Sequence, residues 1–207
     1  KPSRIVSSVA VLRARISKKD KKLVHIFQYK DILLCLQEAK LYNDVMGKIL
    51  PFEKRLLVIG VLSVLEDDDP VIADLESVWG PVRKRTESVP FAFTDYYNPE
   101  MGSRPMRYFL VFSDLVNPSC LAAIKIKTNS IEDRYAVSGQ RRINLDPGLL
   151  DLGSLILATT KDSAHRIPLS DGIYAETTLI YHTHSFHPLD WTYADYASPA
   201  FLKLFAS

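Results

Sequence analysis

The sequence predicts an α+β domain: a split β-α-β-β-α-β core of the ferredoxin-like type with an added C-terminal β-hairpin layer. Three observations predict it. The continuous apolar run Leu56-Leu57-Val58-Ile59-Gly60-Val61-Leu62 reads as a buried strand, and a helix entrance follows at once. Two further strand-like stretches, Arg85 to Phe93 and Arg107 to Phe112, then precede a second helical stretch. A fourth strand begins at Ile143, which completes the split order.

Each element has a local cause. The first strand spans Leu56–Leu65. Glu66-Asp67-Asp68-Asp69-Pro70 places acids at the positive end of a helix dipole and proline in its first turn. Three successive acids there read as a solvated helix start more readily than as metal ligands. The helix carries Val71, Ile72, Leu75 and Val78 to Trp79, and Gly80 stops it. The second strand ends in Phe91-Ala92-Phe93-Thr94-Asp95-Tyr96-Tyr97, and Asn98, Pro99 and Gly102 make a turn. The third strand is rich in aromatic and β-branched residues. Asn117-Pro118-Ser119 opens the second helix, whose apolar positions are Leu121, Ile124, Thr128, Ile131 and Tyr135 and which closes at Gly139. Asp146-Pro147-Gly148 reads as a turn at the end of the fourth strand. Further on, Leu155–Thr159 is apolar, Ile173–Tyr181 alternates, and Trp191-Thr192-Tyr193 leads to a short tail helix after Pro199.

Composition bounds the function classes. The 207 residues are 47% hydrophobic and 24% charged, enough to bury a core without disulfides or a structural metal. A formal net charge of +2 is too small to argue for nucleic acid or an anionic membrane as partner, and neither is expected. No apolar run approaches the roughly 18 residues of a membrane span, and no secretory-signal pattern is evident. Cys35 and Cys120 sit in apolar sequence surroundings with no metal-type spacing, so they are expected to be buried free thiols in a reducing cytoplasm. Residues 1–45 differ in character: dispersed basic residues up to Lys22, then an amphipathic stretch from Ile26 to Tyr42. The expected domain is residues 46–207, starting naturally at Met46. Residues 1–45 are expected to be an extension outside it, the alternative being a helix that docks on it.

Chemistry-bearing residues concentrate between Arg141 and Glu176. In Thr159-Thr160-Lys161-Asp162-Ser163-Ala164-His165-Arg166, directly after an apolar strand, Lys161, His165 and Arg166 offer positive charge to a phosphate or carboxylate. Thr159 and Thr160 offer hydrogen bonds, and Asp162 could orient His165 or pair with Lys161 or Arg166. Asp146 and Asp95 stand at strand ends, where a carboxylate such as that of Asp146 could hold a metal or accept a proton, and Arg107 could reach Asp95 across a hairpin. Tyr174 and Glu176 share strand parity, and an inward Glu176 needs a partner such as Arg142 or His165. Asn144 completes the candidate binding set. His182, His184 and His187 lack a nearby acid or cysteine, so no metal site is assigned to them. A phosphate-binding glycine loop, a CxxC pair, a Gly-x-Ser-x-Gly elbow and a dinucleotide fingerprint are all absent from the sequence.

Several of these stretches resemble one family. Phe93-Thr94-Asp95-Tyr96-Tyr97 with Met101-Gly102 is similar to the front half of the bacterial and archaeal family known as domain of unknown function 4416. Its back half is matched by Asn144-Leu145-Asp146-Pro147-Gly148, Ala158-Thr159-Thr160-Lys161-Asp162, His165-Arg166-Ile167, Gly172-Ile173-Tyr174-Ala175-Glu176 and Trp191-Thr192-Tyr193. The resemblance runs from about Met46 onward, leaves out residues 1–45 and the three histidines, and implies no particular activity or cofactor.

The expectation is therefore a cytoplasmic domain that binds or processes a small anionic molecule, with phosphorylated and nucleotide-like compounds among the options. The alternative is a non-enzymatic interaction or regulatory domain whose polar motifs are structural.

Overall fold

In the computed structural model, β1 (Arg55–Ser63) lies inside a nine-stranded, mixed-length sheet whose strand pairs are all antiparallel. The structure describes residues 49–94, 97–102, 105–199 and 201–202. The expected helix over 26–42, Cys35 and Asp95 lie outside the described residues. The described residues belong to the compact unit Met46–Ala206.

After β1 come α1 (Asp69–Trp79), β2 (Val82–Arg85), β3 (Val89–Pro90), α2 (Asn98–Met101) and β4 (Met106–Val116). A 3-10 turn at Pro118–Cys120 leads into α3 (Leu121–Tyr135). Then follow β5 (Ile143–Leu150), β6 (Ser154–Thr159), β7 (Ile167–Pro168), β8 (Tyr174–His182) and β9 (Ser185–Pro188). The main order is β2-β4-β1-β5-β6-β8-β7, with β3 on β4 and β9 on β8. The chain is thus α+β with a mostly antiparallel sheet and few helices.

Local causes act where the sequence places them. Pro70 sits in the first turn of α1, and Gly80, at φ 82°, donates its N–H to the Glu76 carbonyl as the helix ends. Asn117 accepts from the Ser119 N–H at 3.0 Å before α3. The acids before α1 hold protein groups: Asp68 accepts from Ser63 Oγ at 2.6 Å and lies 3.9 Å from Arg85.

Period-two alternation divides the sheet between two faces. Leu57, Ile59 and Val61, Tyr108, Leu110 and Phe112, and Ile143 and Leu145 meet Val71 and Leu75 of α1 and Ile124 and Ile131 of α3. On the opposite face Phe109 is covered by the C-terminal segment, whose Tyr196 and Phe201 rings meet it edge-on at 5.3 and 4.8 Å. Each such buried ring contributes roughly 1.5–3 kcal/mol. No helix among the described residues is long and apolar enough to cross a membrane.

Five expectations need correction, four of them minor. The C-terminal strands do not form a separate layer; β6 to β9 continue the one sheet, and the overlying cover is the segment after Pro188, which is helical at Pro199 and at Phe201 and Leu202. Arg85 to Phe93 is not one strand, because pairing with β4 lapses after Arg85 opposite Leu110 and resumes only at Val89–Pro90 opposite Arg107 and Met106, four positions on one strand against three on the other. The second helix ends at Tyr135, before Gly139, where Ala136 turns extended. Cys120 is exposed, because it lies on the turn ahead of α3 and not on the buried stripe.

The fourth strand holds the main surprise. Asp146-Pro147-Gly148 is no turn but the middle of β5, facing Gly60, Ile59 and Val58 of β1. β5 pairs with β1 along its whole length, yet with β6 only at Gly148, Leu149 and Leu150. Pro147 has no N–H to offer a further rung, so the ladder stops there. On the same edge the Leu145 N–H donates to Glu132 Oε1 and its carbonyl accepts from Lys125 Nζ, each at 2.7 Å. Helix side chains thus stand where strand hydrogen bonds would be. β6 meanwhile runs on with β8 as far as Thr159 opposite Tyr174. The sheet therefore forks between β5 and β6.

Candidate functional site

A cavity of about 670 Å³ occupies the fork. Its floor comes from the central strands. Arg107 of β4, 3% exposed, lies 3.0 Å from Asp146 Oδ2 and 3.0 Å from Asp195 Oδ2. Its guanidinium also stands 5.1 Å from the ring centres of Phe109 and Tyr196. Asp146 Oδ1 accepts from Asn144 Nδ2 at 2.9 Å. Gly60 faces this group and must lack a side chain: a Cβ there would lie 2.6 Å from Tyr196 Oη and 3.1 Å from Arg107 Nη2.

Helix α3 supplies one side through Lys125, Asn129, Glu132 and Asp133. Lys125 and Glu132 are buried together, 3.7 Å apart. Arg141 reaches Asn144 at 3.1 Å, Glu100 at 3.2 Å and Glu132 at 3.5 Å. The opposite wall is aromatic: Phe91 packs on Phe93 and Tyr97, with ring centres 5.6 and 5.8 Å away, and Tyr193 joins them. The rim is the end of β6 with Thr159, Thr160 and Lys161; the Lys161 N–H donates to Thr159 Oγ1 at 3.2 Å.

Electrostatics separate the acids. Burial alone would raise the Asp146 carboxyl, but Arg107 and Lys125, with hydrogen bonds from Arg107 and Asn144, hold it below its ordinary value. Burial raises Asp195 despite Arg107, and raises Glu132 despite Lys125 and the Leu145 N–H. Arg107 stays charged: burial works against its cationic form, and Tyr196, Asp146 and Asp195 outweigh it. Asp146, one-quarter exposed, is therefore a fixed carboxylate presented to the cavity.

Of the residues expected from sequence, Asn144, Asp146, Thr159, Thr160, Lys161 and Glu176 line this cavity. His165 and Arg166 stand behind it on Glu176: Arg166 Nε donates at 2.7 Å and His165 Nε2 lies 3.4 Å away. Arg166 also donates to Tyr193 Oη at 2.9 Å and to the Lys161 carbonyl at 2.8 Å. The His165 ring stacks on Trp191 at 4.8 Å. Arg142 is not brought in; it donates to the Val64 carbonyl, and Glu176 takes Arg166 as partner instead. Asp162 is exposed outside the lining, and Tyr174 pairs with Pro168 at the sheet edge. The His182 and His187 rings stack at 3.7 Å, and no group of three or more His, Cys, Asp or Glu among the described residues could hold a metal.

Gly60, Lys125, Glu132, Asp195 and Tyr196 are not among the residues expected from sequence; Arg141 figures there only as the start of the polar stretch, and Arg107 only as a partner for Asp95. One signal was present: Ile124-Lys125 and Ile131-Glu132 repeat seven residues apart, so two charges flank the apolar stripe on one side. Among the described lining residues, four are basic (Arg107, Lys125, Arg141, Lys161) and five acidic (Glu132, Asp133, Asp146, Glu176, Asp195). The cavity is a mixed-sign site, with Lys161 at its rim and paired charges at its floor.

No curated protein and no solved structure matches the chain. The model of one family matches residues 53–207, which cover the sheet, both long helices and every lining residue. The chain belongs to that family, described as a domain of unknown function (DUF4416).

Proposed function

We propose that this cytoplasmic domain binds a small molecule made of a planar ring and an anionic group, phosphorylated or nucleotide-like in kind, in the fork cavity. One observation carries the reading: a cavity of about 670 Å³ lined both by a group of aromatic rings and by a fixed polar floor. The anionic group belongs at the rim, at Thr159, Thr160 and Lys161, because the cationic Arg141 is already taken up by Glu100 and Glu132. The ring belongs against Phe91, Phe93, Tyr97 and Tyr193. The core is read as the split ferredoxin-like arrangement, supported by the antiparallel order β2-β4-β1-β5 with α1 and α3 on one face.

A thermal-shift screen of nucleotides, phosphorylated metabolites and divalent metals tests this, since a ligand at 100 times its Kd adds about 2.7 kcal/mol of stability. The expected pattern is a rise with phosphorylated ring compounds that Lys161→Ala abolishes while leaving unliganded stability within about 0.5 kcal/mol. A second reading, a non-enzymatic domain with structural polar motifs, is favoured for one part only. Arg166 ties Glu176, Tyr193 and the Lys161 carbonyl together, so Arg166→Ala should cost about 3–5 kcal/mol by stranding buried Glu176. If Lys161→Ala destabilised comparably and no compound shifted melting, the structural reading would hold for the whole site.

A further inference from the structure

We infer that the ring held in the cavity carries a pair of N–H donors on the edge facing Asp146, as in a 2-amino-oxo heterocycle of the guanine type. This rests on the ring-and-anion reading and narrows it. Asp146 is the accessible carboxylate of the floor, and its two oxygens are each held by a single donor, Oδ1 by Asn144 and Oδ2 by Arg107. A carboxylate has about four acceptor sites, so one on each oxygen is left. Two parallel acceptors match a ring N–H beside an exocyclic amine, and charge-assisted pairs of this kind are the stronger ones.

The alternatives fit worse. A ring edge that places a bare acceptor nitrogen against Asp146, as adenine's does, sets lone pair against lone pair. An anionic group at the floor would meet Asp146 and Asp195 beside an Arg107 already paired to both. The floor is also held in place: Asp146 and Arg107 sit in β5 and β4 on either side of β1 and pair with each other at 3.0 Å. Rigid placement makes an unmatched polar edge costly, which is how a site comes to reject a near-isostere. The aromatic wall supplies the stacking surface that any flat base accepts, so it sets affinity for a ring while Asp146 sets which ring.

Isothermal titration calorimetry with guanosine, xanthosine and adenosine 5′-monophosphates tests the inference on the whole chain. The intact protein should bind the guanosine compound at least about 10-fold more tightly than the adenosine compound. Asp146→Asn should weaken the guanosine compound by about 10-fold or more and strengthen the xanthosine compound, whose 2-oxo group can accept from the new amide. That gain cannot arise from misfolding. Phe93→Ala, at a half-exposed ring, should weaken all three alike. Equal binding of the guanosine and adenosine compounds, or a uniform loss in Asp146→Asn, overturns the inference and leaves the ring-and-anion reading standing. If none of the three bound and no other phosphorylated ring compound shifted melting, that reading would fall with it.

Discussion

Replacing Arg107 by methionine isolates the electrostatics of the floor. The substitution keeps aliphatic bulk under Phe109 and Tyr196 and removes the one charge shared by Asp146 and Asp195, each 3.0 Å away. Breaking a buried ion pair from one side costs about 3–5 kcal/mol. The second pair adds little more, because Asp146 is one-quarter exposed and regains water. At about 2–4 °C per kcal/mol for a chain of this size, melting should fall by roughly 6–20 °C.

The pH dependence of that loss is the sharper test. In the native protein Asp146 is held below its ordinary 3.8, so its contribution is present at neutral pH and lost only in strong acid. Asp195 is raised above 3.8, so its contribution is greatest in acid and is lost as pH rises through its folded value. Without Arg107 both carboxyls titrate higher, and protonation relieves both. The deficit measured by urea unfolding should therefore shrink between pH 7 and pH 5. A deficit under about 1 kcal/mol at pH 7, or one that grows on acidification, would refute this account of the floor.

Other substitutions probe the remaining parts. Gly60→Ala pushes a methyl against Tyr196 Oη and Arg107, so it should cost about 1–3 kcal/mol in chemical unfolding and weaken any cavity ligand. Glu132→Ala strands the Leu145 N–H and the buried Lys125, and should lower stability by about 3–5 kcal/mol. Glu132→Gln keeps the acceptor, and should recover at least half of that loss by the same denaturation assay; no difference between the two would show that the acceptor is irrelevant.

How far the sequence could be read depended on whether a signal was local. β1, α1 with its Gly80 stop, β4 and α3 announce themselves by apolar runs, periodicity and caps, all properties of neighbouring residues. Asp146-Pro147-Gly148 misled because its local chemistry is that of a turn. Its strand conformation depends on distant partners. Pro147 fits where β5 and β6 no longer pair, and Gly148 fits because a Cβ there would lie 2.6 Å from the Leu157 side chain and 3.0 Å from the Ile156 carbonyl. The rim, Thr159-Thr160-Lys161, and Asn144, Asp146 and Glu176 were legible as polar residues on strand-like segments. Lys125 and Glu132 were not, since nothing local shows that two charges beside a helical stripe will be drawn inward by an unpaired strand edge. Arg107 and Asp195, 88 positions apart by their numbering, meet only through the folding back of the C-terminal segment.

The parting of β5 from β6 also sorts the cavity's residues by how freely they can be exchanged. Floor residues such as Gly60, Arg107 and Asp146 sit on central strands where each holds another in place, so a change at one calls for simultaneous changes at its partners. Thr160 and Lys161 stand at a strand end in contact with water, where single substitutions cost the fold little. Redesign for a new ligand would therefore run cheaply at the rim and meet epistasis at the floor: the anionic end of the ligand can be varied one residue at a time, the ring end only in concert.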